Sequence, residues 1–371
     1  MRYGTPVRRL AIQLLATTLA ACGAAEGTPT GPPDPSQFRA LGAGTNGAVT
    51  GLGVDGTTLY LGGRFDRAGD QLALHVARWD GTRWGGLGAG VDEEVATLNL
   101  DPQGVPHLAT NLPNLRVHRF DGAGWPTLGD GPPDAQNVFQ LLFDGNGALY
   151  APGRYTAPRL PSRIARWDGT AWTDFGPSEP PPSGRAALAM AAGPSGGLYA
   201  SFDDNVAKQG RVVRWDGAAW QALGGDFNGS VRVLSFASDG TLYAGGSFTR
   251  AGTTPASGVA RWDGTTWQAV GNLTIQAEFF GVTSLAFAPD GTLYAGGDIT
   301  AADGVRTGGL ARWDGARWSG TTGAPSGRVW TLAIGADGEV YVGGEFAVLR
   351  YFDELLPDLE VNNIVAWRPG G

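Results

Sequence analysis

The sequence predicts an all-β protein built from seven like units, on three observations. A signature Trp/Phe-Asp-Gly-x-x-Trp recurs at residues 79–84, 120–125, 167–172, 215–220, 262–267 and 313–318, and a broken seventh copy stands at Trp367. Successive copies lie 41, 47, 48, 47, 51 and 54 residues apart, a period that marks small units packed side by side. The composition, 61 Gly and 24 Pro in 371 residues with only 17% charged, favours strands and tight turns over helices.

The unit that begins at Val231 is the clearest. It holds four β-prone runs, at residues 231–237, 241–249, 258–262 and 267–271. Asp239-Gly240 joins the first two and Asp263-Gly264 the last two. Asp-Gly supplies the positive φ of a tight hairpin, so both junctions read as hairpins. The second and third runs are joined by a longer, variable loop, as are the fourth run and the next unit. Four antiparallel strands at this period make a propeller blade.

Units begin near Val49, Val95, Val138, Ala187, Val231, Val282 and Val329. The last reaches Trp367 without a fourth strand. The missing strand stands at the other end: Phe38-Arg39-Ala40-Leu41-Gly42 matches Trp220-Gln221-Ala222-Leu223-Gly224. The expectation is therefore a single seven-bladed β-propeller over residues 38–371, with four antiparallel strands per blade. It is closed by the N-terminal strand, which completes the last blade and removes the exposed edges of an open stack.

Alternation puts Ala260 and Trp262 on one face of their strand, Val259 and Arg261 on the other. Twelve of the 13 Trp fall at repeat positions and only Trp330 does not, so the repeated Trp reads as packing between units. Each such side chain stabilises by about 2–3 kcal/mol on burial. Stacking on carbohydrate is the competing role for any exposed Trp. The Arg before each first aromatic (Arg78, Arg119, Arg166, Arg214, Arg261, Arg312) reads as structural, its stem lying along the sheet.

The pattern Leu-Tyr-x-Gly-Gly-x-Phe, loop, Ala-Arg-Trp-Asp-Gly-x-x-Trp-x-x-Leu-Gly resembles the repeats of secreted bacterial propellers and of fungal cortical-marker propellers. It is more loosely similar to kelch and galactose-oxidase propellers. The resemblance spans roughly residues 38–371 and implies architecture rather than activity. Ala109-Thr110 and Ser201-Phe202 replace the Gly-Gly doublet in the second and fourth units.

Residues 1–21 read as a signal peptide, with Arg2, Arg8 and Arg9 before a short apolar stretch. The stretch ends in Leu19-Ala20-Ala21-Cys22, which resembles the lipobox of bacterial lipoproteins. That resemblance implies lipidation of Cys22, the chain's only Cys, and anchoring by two or three acyl chains. Gly23 stands where an inner-membrane retention Asp would be, so the expected address is extracytoplasmic, at an outer membrane or cell surface. Residues 22–37 are Pro- and Gly-rich and read as a tether. The formal charge of −8 becomes more negative when the Arg-bearing leader is removed, which argues against nucleic acid as partner. The membrane is expected to be reached through the lipid alone, and the domain to be a monomer.

The hairpin side of such a fold is uniform, while the side carrying the longer connections holds the variation. Any site is expected there or at the channel mouth. The position after each Gly-Gly doublet varies and is polar: Arg64, Asn111, Arg154, Asp203, Ser247, Asp298 and Glu345. These seven form the candidate ligand-binding ring, with solvated loop-edge residues as the alternative. Acidic clusters at residues 92–94, 203–204 and 346–361 lack the oxygen-ligand spacing of a calcium loop, so no metal is expected. His75, His107 and His118 have no metal-ligand spacing, and His107, in a position held by Tyr in other units, reads as a packed core histidine. No nucleophile, zinc or phosphate-loop motif occurs, and no cofactor is expected. The function read from the chain is a binding or scaffolding module for an envelope or extracellular protein or glycan. The alternative is a carbohydrate-active propeller hydrolase or lyase with acids and Arg at the channel mouth.

Overall fold

The computed structural model is described for residues 35–371 except 112, 114, 157–162, 177–184, 205–208, 277–279, 354 and 369–371. The chain divides into two compact units, Met1–Pro33 and Asp34–Gly371, and the fold described is that of the second. The signal peptide, Cys22 and all of the tether before residue 35 lie outside the described residues. Pro35–Gln37 forms one 3-10 turn, and its last carbonyl accepts a hydrogen bond from the Arg368 N–H at 2.7 Å.

The unit at Val49 folds as an antiparallel sheet in chain order: Val49–Asp55, Thr58–Gly63, Val76–Trp79, Trp84–Gly86. The same order holds for Arg185–Ala192, Leu198–Asp204, Gln209–Trp215 and Trp220–Ala222. It holds again for Val231–Phe236, Leu242–Gly246, Val259–Trp262 and Trp267–Ala269, and for Val282–Phe287, Leu293–Gly297, Leu310–Trp313 and Trp318–Ser319. The sheet of Arg328–Ile334, Val340–Glu345 and Ile364–Trp367 takes its fourth strand from Phe38–Ala40. Phe38 stands opposite Trp367, as Trp267 stands opposite Trp262, and the two rings stack at 6.0 Å and 14°. The N-terminal segment thus supplies the second aromatic of the seventh signature.

Two units depart from the expected four strands. The unit at Val95 has three, Val95–Leu100, Pro106–Thr110 and Val117–Arg119, with only an isolated bridge between His118 and Thr127. Pro126 follows Trp125 there, in the place of Gln221 or Gln268, and it has no N–H to give the ladder. In the unit at Val138 the first strand is split into Ala135–Val138 and Leu142–Phe143, both pairing with Leu149–Tyr155. Gln140 leaves the ladder between them, and its side-chain oxygen accepts from the Met190 N–H at 2.7 Å.

The hairpin chemistry is uniform. Asp263 Oδ1 accepts from the N–H groups of Thr265 and Thr266 at 2.8 Å, and Gly264 turns the chain at φ 102. The same bonds recur at Asp80, Asp121, Asp168, Asp216 and Asp314. They hold each of these carboxyls below the usual carboxylate range.

The repeated Trp has a second duty besides filling space. Its Nε1 donates to the carbonyl that ends the preceding unit: Trp84 to Leu41 at 2.7 Å, Trp125 to Leu87 at 3.0 Å, Trp172 to Leu128 at 2.8 Å. Trp267 bonds Leu223 at 2.9 Å and Trp318 bonds Val270 at 2.6 Å. Trp220 breaks the series: Phe175 stands where Leu is usual, its ring packs on Trp215 and Trp220, and Trp220 Nε1 has no partner. The Arg residues keep to the sheets, with Arg166 over Tyr150 at 5.9 Å and Arg214 over Tyr199 at 6.0 Å.

The connections between second and third strands, read as loops, carry short strands of their own. Arg67–Ala68 pairs with Gln71–Leu72, and Arg250–Ala251 with Thr254–Pro255. Ile299–Ala302 pairs with Val305–Arg306 and with Leu273–Ile275. Val348–Tyr351 lies between Gly323–Pro325 and Leu359–Glu360.

First strands pack on first strands. Val49–Asp55 contacts Val95–Leu100 on one side and Arg328–Ile334 on the other. Val231–Phe236 lies between Arg185–Ala192 and Val282–Phe287, and Val282–Phe287 also meets Arg328–Ile334. Leu149–Tyr155 packs on Arg185–Ala192, and Ala135–Val138 meets Val95–Leu100.

Candidate functional site

In six units the first strand carries a β-bulge near the unit start. Register slips between Val49 and Gly51, Val95 and Thr97, Ala187 and Ala189, Val231 and Val233, Val282 and Ser284, and Val329 and Thr331. The bulged residue leaves the ladder and its side chain is re-aimed. The Gly-Gly doublet makes room for this: a Cβ on Gly63, Gly246 or Gly344 would collide with the carbonyl of Ala48, Ser230 or Arg328. In the unit at Val138 the strand breaks after Val138 instead, and Phe139 takes the corresponding place.

The residue after each unit start is thus Thr50, Ala96, Phe139, Leu188, Arg232, Thr283 or Trp330. All seven line one cavity of about 320 Å³, together with Arg64, Asn111, Asn137, Val138 and Phe280. A larger groove of about 680 Å³ lies beside Trp79 and Trp84, but its walls are the repeated hairpin and indole, which are accounted for by packing.

One wall of the cavity is backed by a stack of cations and rings. The Arg232 guanidinium lies 4.6 Å from the Phe280 centroid and that of Arg328 lies 4.8 Å from it. Arg328 also lies 4.9 Å from the Trp330 ring, and Phe280 meets Trp330 edge-on at 5.1 Å. Asp298 ties the stack together: Oδ1 accepts from Arg328 Nε at 3.2 Å and Oδ2 from the Phe280 N–H at 3.0 Å. Burial pushes the Arg232 pKa down, against the attraction of Asp203 and Asp298, and its Nε has no hydrogen-bond partner. Asp203 is buried and accepts from the Ser230 hydroxyl at 3.0 Å; burial pushes its carboxyl up.

The seven residues after the doublets stand at matching positions but do not all reach the cavity. Arg64 and Asn111 are in its wall. Arg64 also faces Glu94 at 3.4 Å, both about half exposed. Arg154 stands opposite Asn137 and is exposed. Asp203 and Asp298 support the wall from behind. Ser247 is half-buried, with its N–H on the Ser230 carbonyl at 3.0 Å, and Glu345 is exposed opposite Arg328. Arg232, Phe280 and Trp330 were not among the sequence candidates. The sequence did carry a sign of two of them: the position after each unit start varies as freely as the one after each doublet, and Trp330 is the one Trp out of register.

The histidines are packed. His107 is buried, with Nδ1 3.1 Å from the Val105 carbonyl and its ring edge-on to Phe143 at 4.7 Å, and burial pushes its pKa down. His118 Nδ1 lies 2.8 Å from the Trp125 carbonyl, and His75 turns the chain at φ 63. Among the described residues no group of three His, Cys, Asp or Glu is placed to hold a metal ion. Among them, too, no helix is long and apolar enough to cross a membrane.

Comparison with known proteins supports the architecture. Residues 237–262 match the model of a family described as "Domain of unknown function (DUF5122) beta-propeller". No curated protein matches the chain. Streptogramin B lyase is similar in structure, with a TM-score of 0.59 over 89% of this chain and 96% of that one at 11% identity. The WD40 β-propeller domain of Doa1 gives 0.55 over 89% and 95% at 12% identity. The β-propeller domain of Cps50 (Swd1) from Myceliophteria thermophila gives 0.56 over 90% and 100% at 12% identity. The chain has an all-β, propeller-like fold of repeated units.

Proposed function

We propose that the chain is a seven-bladed β-propeller, closed by Phe38–Ala40, that serves as a lipid-anchored extracytoplasmic module. It binds an envelope or extracellular protein or glycan through the side that carries the bulges and the longer connections. One observation carries the reading: the residues after all seven unit starts line one cavity, as side chains around a common axis would. The run of first-strand contacts from Val49–Asp55 through the units and back by way of Arg328–Ile334 supports the same order, as does the pairing of Phe38 with Trp367. The wall offers Arg, Asn and Thr groups beside aromatic and aliphatic surface, a mixture suited to holding a ligand.

The anchor rests on the Leu19-Ala20-Ala21-Cys22 sequence, and the solution state is a monomer that does not bind nucleic acid. The test is capture from an envelope extract and on a glycan array with tagged protein, wild type against Arg64→Ala/Arg154→Ala. Capture by the wild type and its loss in the double variant is the expected result; unchanged capture by the variant removes those two residues from the site. In the same cells, Cys22→Ser is expected to move the protein out of the membrane fraction, and retention there rejects the lipid anchor. Cleavage of a captured glycan would replace the binding reading with the hydrolase or lyase alternative.

A further inference from the structure

The two charged side chains in the cavity wall are both cationic, Arg64 and Arg232. The acids that balance them stand outside the lining. Asp298 is committed to Arg328 and the Phe280 N–H, and Asp203 to the Ser230 hydroxyl. Glu94 faces Arg64 across 3.4 Å with both side chains about half exposed, an ion pair of the kind that gives way to a competing anion. Arg232 is different. It lines the cavity, one face of its guanidinium lies on Phe280, and its Nε is buried without a hydrogen-bond partner. A guanidinium that lines a cavity together with a second Arg, with no carboxylate in the lining, is matched by a carboxylate ligand. The remaining wall sets Thr and Asn groups beside flat apolar surface from Phe139, which is 39% exposed, Phe280 and Trp330. A volume of about 320 Å³ suits a small molecule.

Resting on the binding reading above, we propose that this cavity is a site for a small aromatic carboxylate, its acid group on Arg232 and its ring against Trp330 and the neighbouring phenylalanines. The Arg232 guanidinium selects for the acid, and the ring surface selects against aliphatic acids of the same charge.

The test is ligand-detected NMR and calorimetry on the full chain in detergent, with indole-3-acetate, indole-3-acetamide and glucuronate as probes. Indole-3-acetate is expected to bind at least tenfold more tightly than the amide or the sugar acid, with the gap over the amide narrowing as salt rises. Arg232→Gln is expected to erase the preference for acid over amide, and Trp330→Ala to weaken the acid and the amide together. Equal binding of acid and amide, tighter binding of glucuronate, or no binding of any probe to the folded wild-type chain overturns the proposal. So does an Arg232→Gln protein that keeps the acid preference. If Arg232→Gln fails to fold, the wild-type comparison of acid with amide still decides. Capture of an envelope partner by a protein that ignores all three probes would sink this proposal and leave the broader one standing.

Discussion

Trp267 and Trp220 occupy the same repeat position in different circumstances. Trp267 is 2% exposed and donates to the Leu223 carbonyl, while Trp220 Nε1 is buried without an acceptor. Trp267→Phe removes a donor and orphans a carbonyl, at a cost of about 1–3 kcal/mol beyond the lost ring area. Trp220→Phe gives up no hydrogen bond, so it should cost less. Urea unfolding of the two variants measures the difference, and equal losses would show that the bond contributes nothing net. The hairpin carboxylates act as a group. A carboxyl held below its unfolded value stabilises the fold above about pH 4, and that contribution fades as pH falls through the depressed folded value. Six such Asp residues predict a melting temperature that drops on acidification below about pH 4. Asp203, pushed the other way by burial, opposes them. Replacing the six by Asn keeps an acceptor oxygen at each turn and should flatten the acid limb of the profile; an unchanged limb would assign it to other groups.

At the scale of the element, the sequence was legible wherever one residue type decides the backbone. Asp-Gly fixed the hairpins, and Phe38-Arg39-Ala40-Leu41-Gly42 foretold its partner strand because it matches the Trp220-Gln221-Ala222-Leu223-Gly224 ending of another unit. Reading failed where two local rules competed. Pro126 keeps the Trp-x-x-Leu-Gly spelling yet withholds a ladder donor, so the fourth strand of that unit shrinks to a bridge. The strands inside the long connections were missed because two-residue pairings leave no alternation to see; the recurring Arg-Ala-Gly at residues 67–69 and 250–252 was the available sign. The candidate site was half legible. Variation after the doublets pointed to Arg64 and Asn111, but the cavity is lined mainly from the bulges, and a bulge is a defect of pairing that no single strand announces. The pairing of the first strand can be tested directly. Removing residues 35–42 deprives Trp367 of its stacking partner and Trp84 of its acceptor. It also discards the buried side chains of Phe38 and Leu41, worth about 4 kcal/mol together and so a fall of roughly 6 °C in melting temperature. Calorimetry showing an unchanged transition would deny the segment its role.

Over the whole molecule, most bonds are local to a unit or reach only the next one. Trp84, Trp125, Trp172, Trp267 and Trp318 each hold the unit before them, so the array is a chain of nearest-neighbour clasps. The exceptions join the two ends of the described chain: the sheet shared by Phe38–Ala40 and Ile364–Trp367, and beside it the bonds of Thr45 with Asn362 and Asn363 and of Arg39 with Glu339. On a ribosome that difference becomes a matter of timing. Inner units can assemble as they emerge, each within a few tens of residues of its neighbour, but the opening strand must wait until residue 367 has left the exit tunnel. Long-range pairings of this kind pay their loop-closure entropy last and set the slow step. Through most of its synthesis the nascent protein therefore carries an unpaired edge at its leading end, and that is the interval in which a holding chaperone would matter to it.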